Sequence, residues 1–146
     1  MPNDIDILLV QDNLAEVEVA LRAMREHNLC DRVQVARDGE EALDFLFCQG
    51  KFASRSRDRL PRVILLDLHL PLVDGLEVLQ QVRADRRTCH VPVVILSASD
   101  GQQDVAQSYD RGANSYITKP VDYEQFRDAM RTISLYWLLN RTPGQV

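Results

Sequence analysis

The 146-residue chain has few cysteines, no excess of positive charge and no long apolar run. Its three cysteines, Cys30, Cys48 and Cys89, are odd in number and far apart. They form no CxxC pair and no zinc-ligand spacing, so reduced thiols are expected rather than a disulfide framework or a structural metal. Lys and Arg number 17 against 22 Asp and Glu, a formal charge of -5. A domain that grips nucleic acid by its phosphates needs a basic face, so nucleic acid is not an expected partner. No apolar run approaches the roughly 20 residues that span a bilayer. The opening Met1-Pro2-Asn3-Asp4 lacks the basic and apolar regions of a signal peptide. A cytoplasmic protein with no membrane partner is therefore expected. No internal repeat, low-complexity segment or linker divides the chain. Residues 1–146 read as a single domain with an extended C-terminal helix and no output domain.

What is present is an alternation of short β-like runs with amphipathic helical stretches. Residues 5–10 form the first run. Asn13 with Glu16 three residues on resembles a capping box, and Val17, Ala20, Leu21 and Met24 follow at helical spacing. Arg32 to Ala36 is a second strand, and Asp38 can cap a helix through Ala42, Leu43, Leu46 and Phe47. Residues 49–61 are polar and read as a long solvated loop, its arginines at 55, 57 and 59 included. Val63 to Asp67 is a continuous apolar run ending in an acid, the pattern of a strand buried on both faces. Gly75 opens a third helix. Pro92 to Ser97 is a fourth strand, Asp100 with Gln103 a cap for the fourth helix, and Ser115 to Thr118 a fifth strand. Asp122 with Gln125 caps a last helix running to about Asn140. Five β-α units in order predict an α/β fold, a parallel sheet with helices on both faces.

Ligands of such sheets bind beyond the carboxyl ends of the strands. Those ends carry Asp12, Asp67, Ser97 and Lys119, the side chains that phosphoryl transfer to a carboxylate requires. Asp67 can act as nucleophile, since carboxylates form aspartyl-phosphates. Asp12 and Asp67 can hold Mg²⁺, a hard ion that takes carboxylates, waters and phosphate oxygens. Lys119 supplies a compact positive charge, and Ser97 a hydroxyl donor. No glycine-rich phosphate loop follows the first strand, which counts against a flavodoxin-like enzyme or cofactor carrier.

In Gln11-Asp12-Asn13, Leu65-Leu66-Asp67-Leu68, Pro71 with Asp74-Gly75, Leu96-Ser97-Ala98, Gly112-Ala113 and Tyr116 to Pro120, the chain resembles the receiver domains of bacterial response regulators. The resemblance covers about residues 5–135. Within receivers it looks most like the single-domain regulators of cyanobacterial and bacterial phytochrome kinases, through residues 38–46, the long loop before the third strand, residues 112–116 and residues 135–139. It implies a flavodoxin-like (βα)5 fold, strand order 2-1-3-4-5, and a signalling protein rather than an enzyme. It implies Asp67 as phosphoacceptor and Mg²⁺ or Mn²⁺ held by Asp12, Asp67 and the backbone carbonyl of His69. It further implies Ser97 and Tyr116 as a switch pair and a cis Lys119-Pro120 bond. The implied partners are a sensor histidine kinase, a phytochrome among the candidates, and a downstream phosphotransfer or effector protein.

One departure stands out. Receivers usually carry two adjacent acids after the first strand, and here the first is Gln11. In the family that acid works through a metal-bound water, so Gln11 keeps the reach and removes a charge. This leaves a second reading open, a receiver-like interaction module that works without phosphorylation. Finally, Phe126, Ala129, Met130 and Ile133 form one helical stripe, whereas residues 135–139 are apolar all round. Such a surface is expected to be buried, and a homodimer is the expectation.

Overall fold

The computed structural model describes residues 5–26, 32–56, 59–98 and 101–119, with 124, 125, 127–129, 131 and 132 of the last helix. Its elements are β1 (Ile7–Val10), α1 (Leu14–Arg25), β2 (Val33–Ala36), α2 (Gly39–Phe47), β3 (Val63–Asp67), α3 (Gly75–Ala84), β4 (Val93–Ser97), α4 (Gln102–Asp110) and β5 (Ser115–Thr118). All neighbouring strands pair in parallel, in the order β2-β1-β3-β4-β5. The fold class and strand order expected from the sequence are those observed. No helix among the described residues is long and apolar enough to cross a membrane.

The period-2 alternation of strands sorts the core into two layers. Leu8, Val10, Ile64, Leu66, Val93 and Ile95 pack with α2 and α3 residues such as Leu46 and Leu79. Ile7, Leu9, Val63, Leu65, Val94 and Leu96 face the other way, against Val17, Ala20 and Met24 of α1. Central strands buried on both faces explain their unbroken apolar runs.

Helix starts follow the cap chemistry. Asn13 Oδ1 accepts from the Glu16 N–H at 3.1 Å, and Asp38 Oδ1 from the Glu41 N–H at 2.7 Å. Each satisfies a donor that the first helical turn leaves open. The fourth helix departs from expectation. Its N-cap position is Gly101, with no side-chain bond, and Asp100 lies outside the described residues.

The segment after α2 is also more structured than a solvated loop. Residues 50–52 form a 3₁₀ turn. The Arg55 guanidinium stacks 3.6 Å from the Phe45 ring centroid, donates to the Phe45 carbonyl and reaches the Arg59 carbonyl at 2.6 Å. Arg87 Nη2 donates to the Leu46 carbonyl at 2.5 Å. Two cations thus cover the last carbonyls of α2, where the helix dipole favours positive charge. Position 57, the proline after Lys119, and the apolar run at 135–139 lie outside the described residues, and so do the expectations resting on them.

Candidate functional site

The sheet register sets the site. Val10 pairs with Leu66, so Gln11 and Asp12 leave β1 beside the residue where β3 ends in Asp67. Asp67 pairs with Leu96 and Ser97 with Thr118, which brings the ends of β3, β4 and β5 to one rim. The Lys119 N–H donates to the Ser97 carbonyl at 2.6 Å, turning the lysine across the end of β4. Gly75 fixes the floor. A Cβ there would stand 2.4 Å from the Asp67 carbonyl oxygen and 2.6 Å from that of Leu68. Only glycine lets α3 start this close to the strand end, and its N–H donates to the Leu68 carbonyl at 2.9 Å.

Asp67 continues the row of Val63 and Leu65, which faces α1. The residue is 8% exposed. Burial pushes its carboxyl above the ordinary carboxylate range. Lys119 opposes that shift, Glu16 adds to it, and hydrogen bonds from the His69 and Leu68 backbone oppose it. Lys119 Nζ lies 3.8 Å from Asp67 Oδ2, an ion pair too long for a hydrogen bond, and 2.9 Å from Glu16 Oε2. The lysine's tighter partner is therefore on α1.

Two sequence-derived assignments gain detail here. Gln11 is 3% exposed, and its Oε1 accepts the Asn13 N–H at 3.0 Å. In a capping box, the acid at the third helical position accepts that N–H. Only half of the expected box forms, because Gln11 has taken the other half, and Glu16 turns to Lys119 instead. Glu16 was legible as a helix-start residue but not as part of the site. The usable signal was its place one turn beyond Asp12. Arg37 was also missed; its Nη2 donates to the Asp12 carbonyl at 3.1 Å.

Ser97 is fully buried and follows the Val93–Ile95 row. Tyr116 is partly buried, packs against that same core layer and pairs with Ile95 across the sheet. Both belong to the sheet face opposite α1. The structure thus joins Asp67, Lys119 and Glu16 by direct contact, with Asp12 and Gln11 on the adjoining strand end.

The donor set fits a hard divalent cation. Glu16 and Asp67 share Lys119, and Asp12 leaves the adjoining strand end. Among the described residues, no group of three or more His, Cys, Asp or Glu is placed to hold a metal. Two carboxylates and a carbonyl completed by water suit Mg²⁺, which keeps several waters, rather than a closed zinc site.

Comparison with known proteins identifies the family. The family model of the response regulator receiver domain matches residues 7–131. The probable methanogenesis regulatory protein FilR2 of Methanothrix harundinacea is 40% identical over 139 residues, 94% of this chain and 87% of that protein. Response regulator Rcp1 of Synechocystis is 33% identical over 132 residues, 90% of this chain and 88% of that protein. The Mn²⁺-bound form of Rcp1 superposes with a TM-score of 0.81 at 32% identity, over 93% of this chain and 96% of that one. The phosphorylated cyanobacterial phytochrome response regulator RcpA superposes with a TM-score of 0.83 at 38% identity, over 93% of this chain and 95% of that one.

Proposed function

Because the chain belongs to the response-regulator receiver family, we propose that it is a phosphorylation-driven switch that takes a phosphoryl group from a sensor histidine kinase onto Asp67. The observation that carries this reading is the buried carboxylate of Asp67 at the end of β3, faced by Lys119 at 3.8 Å. In the reaction an Asp67 carboxylate oxygen attacks phosphorus. An O–P bond forms, the donor's P–N bond to histidine breaks, and the nitrogen leaves with the bonding pair and takes up a proton. Asp12, Asp67 and the His69 carbonyl would hold Mg²⁺ or Mn²⁺. That ion would supply positive charge against the repulsion between the carboxylates and the incoming phosphoryl group. Lys119 places a second positive charge on the phosphoryl oxygens. The Ser97 hydroxyl donates to one of them, and Tyr116, on the same face, repacks behind it. The new bonds favour one of two conformations, which partners then read. The similarity to the cyanobacterial phytochrome response regulator RcpA supports a phytochrome as the cognate kinase.

The test is uptake of labelled phosphate from acetyl phosphate with Mg²⁺. Acid-stable, hydroxylamine-labile label is expected on Asp67, and none on Asp67→Asn, whose amide cannot attack phosphorus. Undiminished label in Asp67→Asn would overturn the assignment. Gln11 favours one second reading, an interaction module that is not phosphorylated. A wild type that takes up no label from either acetyl phosphate or a phosphorylated kinase would establish that one.

A further inference from the structure

We propose that Glu16 is the resting partner of Lys119 and restrains phosphoryl uptake at Asp67, a proposal that rests on Asp67 being the phosphoacceptor. Three observations converge on it. Lys119 Nζ is bonded to Glu16 Oε2 at 2.9 Å but stands 3.8 Å from Asp67 Oδ2. Glu16 is available for this bond because Gln11 Oε1 accepts the Asn13 N–H that a capping-box acid would take. The Glu16 side chain is 42% exposed while that of Lys119 is 17% exposed, so the acid has water to turn to and the lysine stays near the pocket.

These facts define an exchange. At rest, a carboxylate that does no chemistry occupies the lysine. A phosphoryl group arriving on Asp67 brings oxygens of greater charge, and Lys119 must give up Glu16 to reach them. Glu16 also adds negative charge beside an incoming anion. Both effects slow uptake and vanish when the carboxylate is neutralised. Glu16 touches no reacting atom in this scheme; it is a positioning residue acting through Lys119. The Gln11 and Glu16 side chains are thereby coupled. The chain replaces one pocket acid by an amide at position 11, and that amide releases another acid to the lysine.

The experiment is a double-mutant cycle on full-length protein, with acetyl phosphate as donor and excess Mg²⁺. Glu16→Gln should accelerate uptake roughly threefold to tenfold, as expected for removing one partly screened charge from the pocket. In a Lys119→Ala background the same change should shift uptake by less than about twofold. Glu18→Gln, which removes an exposed acid from the same helix, should leave the rate unchanged. A second reading needs no phosphate. In metal-free protein, the side-chain nitrogen resonance of Lys119, identified by its loss in Lys119→Ala, should move in Glu16→Gln and stay in Glu18→Gln. An unmoved resonance, equal acceleration with and without Lys119, or equal acceleration from Glu18→Gln would each overturn the proposal. A wild type that takes up no label would remove the phosphoacceptor reading, and this proposal with it.

Discussion

The two rims of the sheet handle charge in opposite ways. At the rim where the strands begin, the Asp6 carboxylate lies between Arg32 at 2.7 Å and Arg62 at 3.6 Å. The Arg83 guanidinium donates to the carbonyls of Gly112 at 3.0 Å, Cys89 at 3.3 Å and Val91 at 2.6 Å, and to Asn114 Oδ1 at 2.9 Å. At the rim where the strands end, two carboxylates, Glu16 and Asp67, share Lys119, and the more buried of the two is its more distant partner. At the first rim the charged groups hold close partners, whereas at the second the buried Asp67 carboxylate has its cation at 3.8 Å. A buried carboxylate left with only a distant cation is the pattern expected of a functional site.

The largest expected effect tests whether the first rim is purely structural. Arg83→Met keeps the apolar stem and removes the donors, leaving several carbonyls short of a partner in a half-buried place. The cost should be about 3 kcal/mol, seen as a melting temperature lower by roughly 10 °C. The folded fraction should take up phosphate at the wild-type rate. Slowed uptake at full foldedness would mean that the two rims are coupled and that the first is not purely structural.

A smaller effect, of opposite sign, is expected at the second rim. The Asp67 carboxyl sits above the ordinary carboxylate range, chiefly because it is buried. A raised carboxyl binds its proton more tightly in the native state than in the unfolded chain. Its favourable contribution is therefore present at low pH and is lost as pH rises through the ordinary aspartate value, about 4, and then past the raised native value. At neutral pH without metal, the ionised Asp67 is a liability. Asp67→Asn should then melt higher than wild type by roughly 3–5 °C. The gap should close on acidification through that window. Adding Mg²⁺ should raise the wild type more than the variant, and removing it with a chelator should restore the gap. Thermal melts across pH would check this; a variant less stable than wild type at neutral pH would show that Lys119 already compensates the buried charge.

How much of this was legible in the sequence follows from which contacts are local. The three central strands were readable because their apolar runs reflect burial on both faces. The caps at Asn13 and Asp38 were readable because a cap and its N–H are three residues apart. Asp12, Asp67, Ser97 and Lys119 were readable as a set because a parallel sheet must bring its strand ends together. Arg55 was misread as solvated, since its role depends on the Phe45 ring ten residues earlier folding beneath it. The Glu16–Lys119 contact spans 103 positions in sequence. No local pattern reports it, and the capping-box pattern pointed Glu16 elsewhere.

The smallest effect concerns the residue that distinguishes this rim from its family. Gln11→Glu restores the missing acid. The carboxylate can still accept the Asn13 N–H that Gln11 Oε1 now accepts at 3.0 Å, so the turn into α1 should persist. What changes is charge: a further carboxylate stands beside Asp12 and Asp67 at the strand ends. At contact distance in a low dielectric that would be a large gain, but Asp12 is exposed and the rim is open to water. Screening should hold the gain to about 1 kcal/mol, or roughly fivefold tighter Mg²⁺ binding. Calorimetric titration of both proteins with Mg²⁺ would measure it, and the gain should shrink as salt is added. The added charge also repels the incoming phosphoryl donor, so uptake at saturating Mg²⁺ should change less than affinity does. Equal or weaker Mg²⁺ binding in Gln11→Glu would show that position 11 does not sense the ion. Asp12 and Asp67 would then set the metal affinity without it.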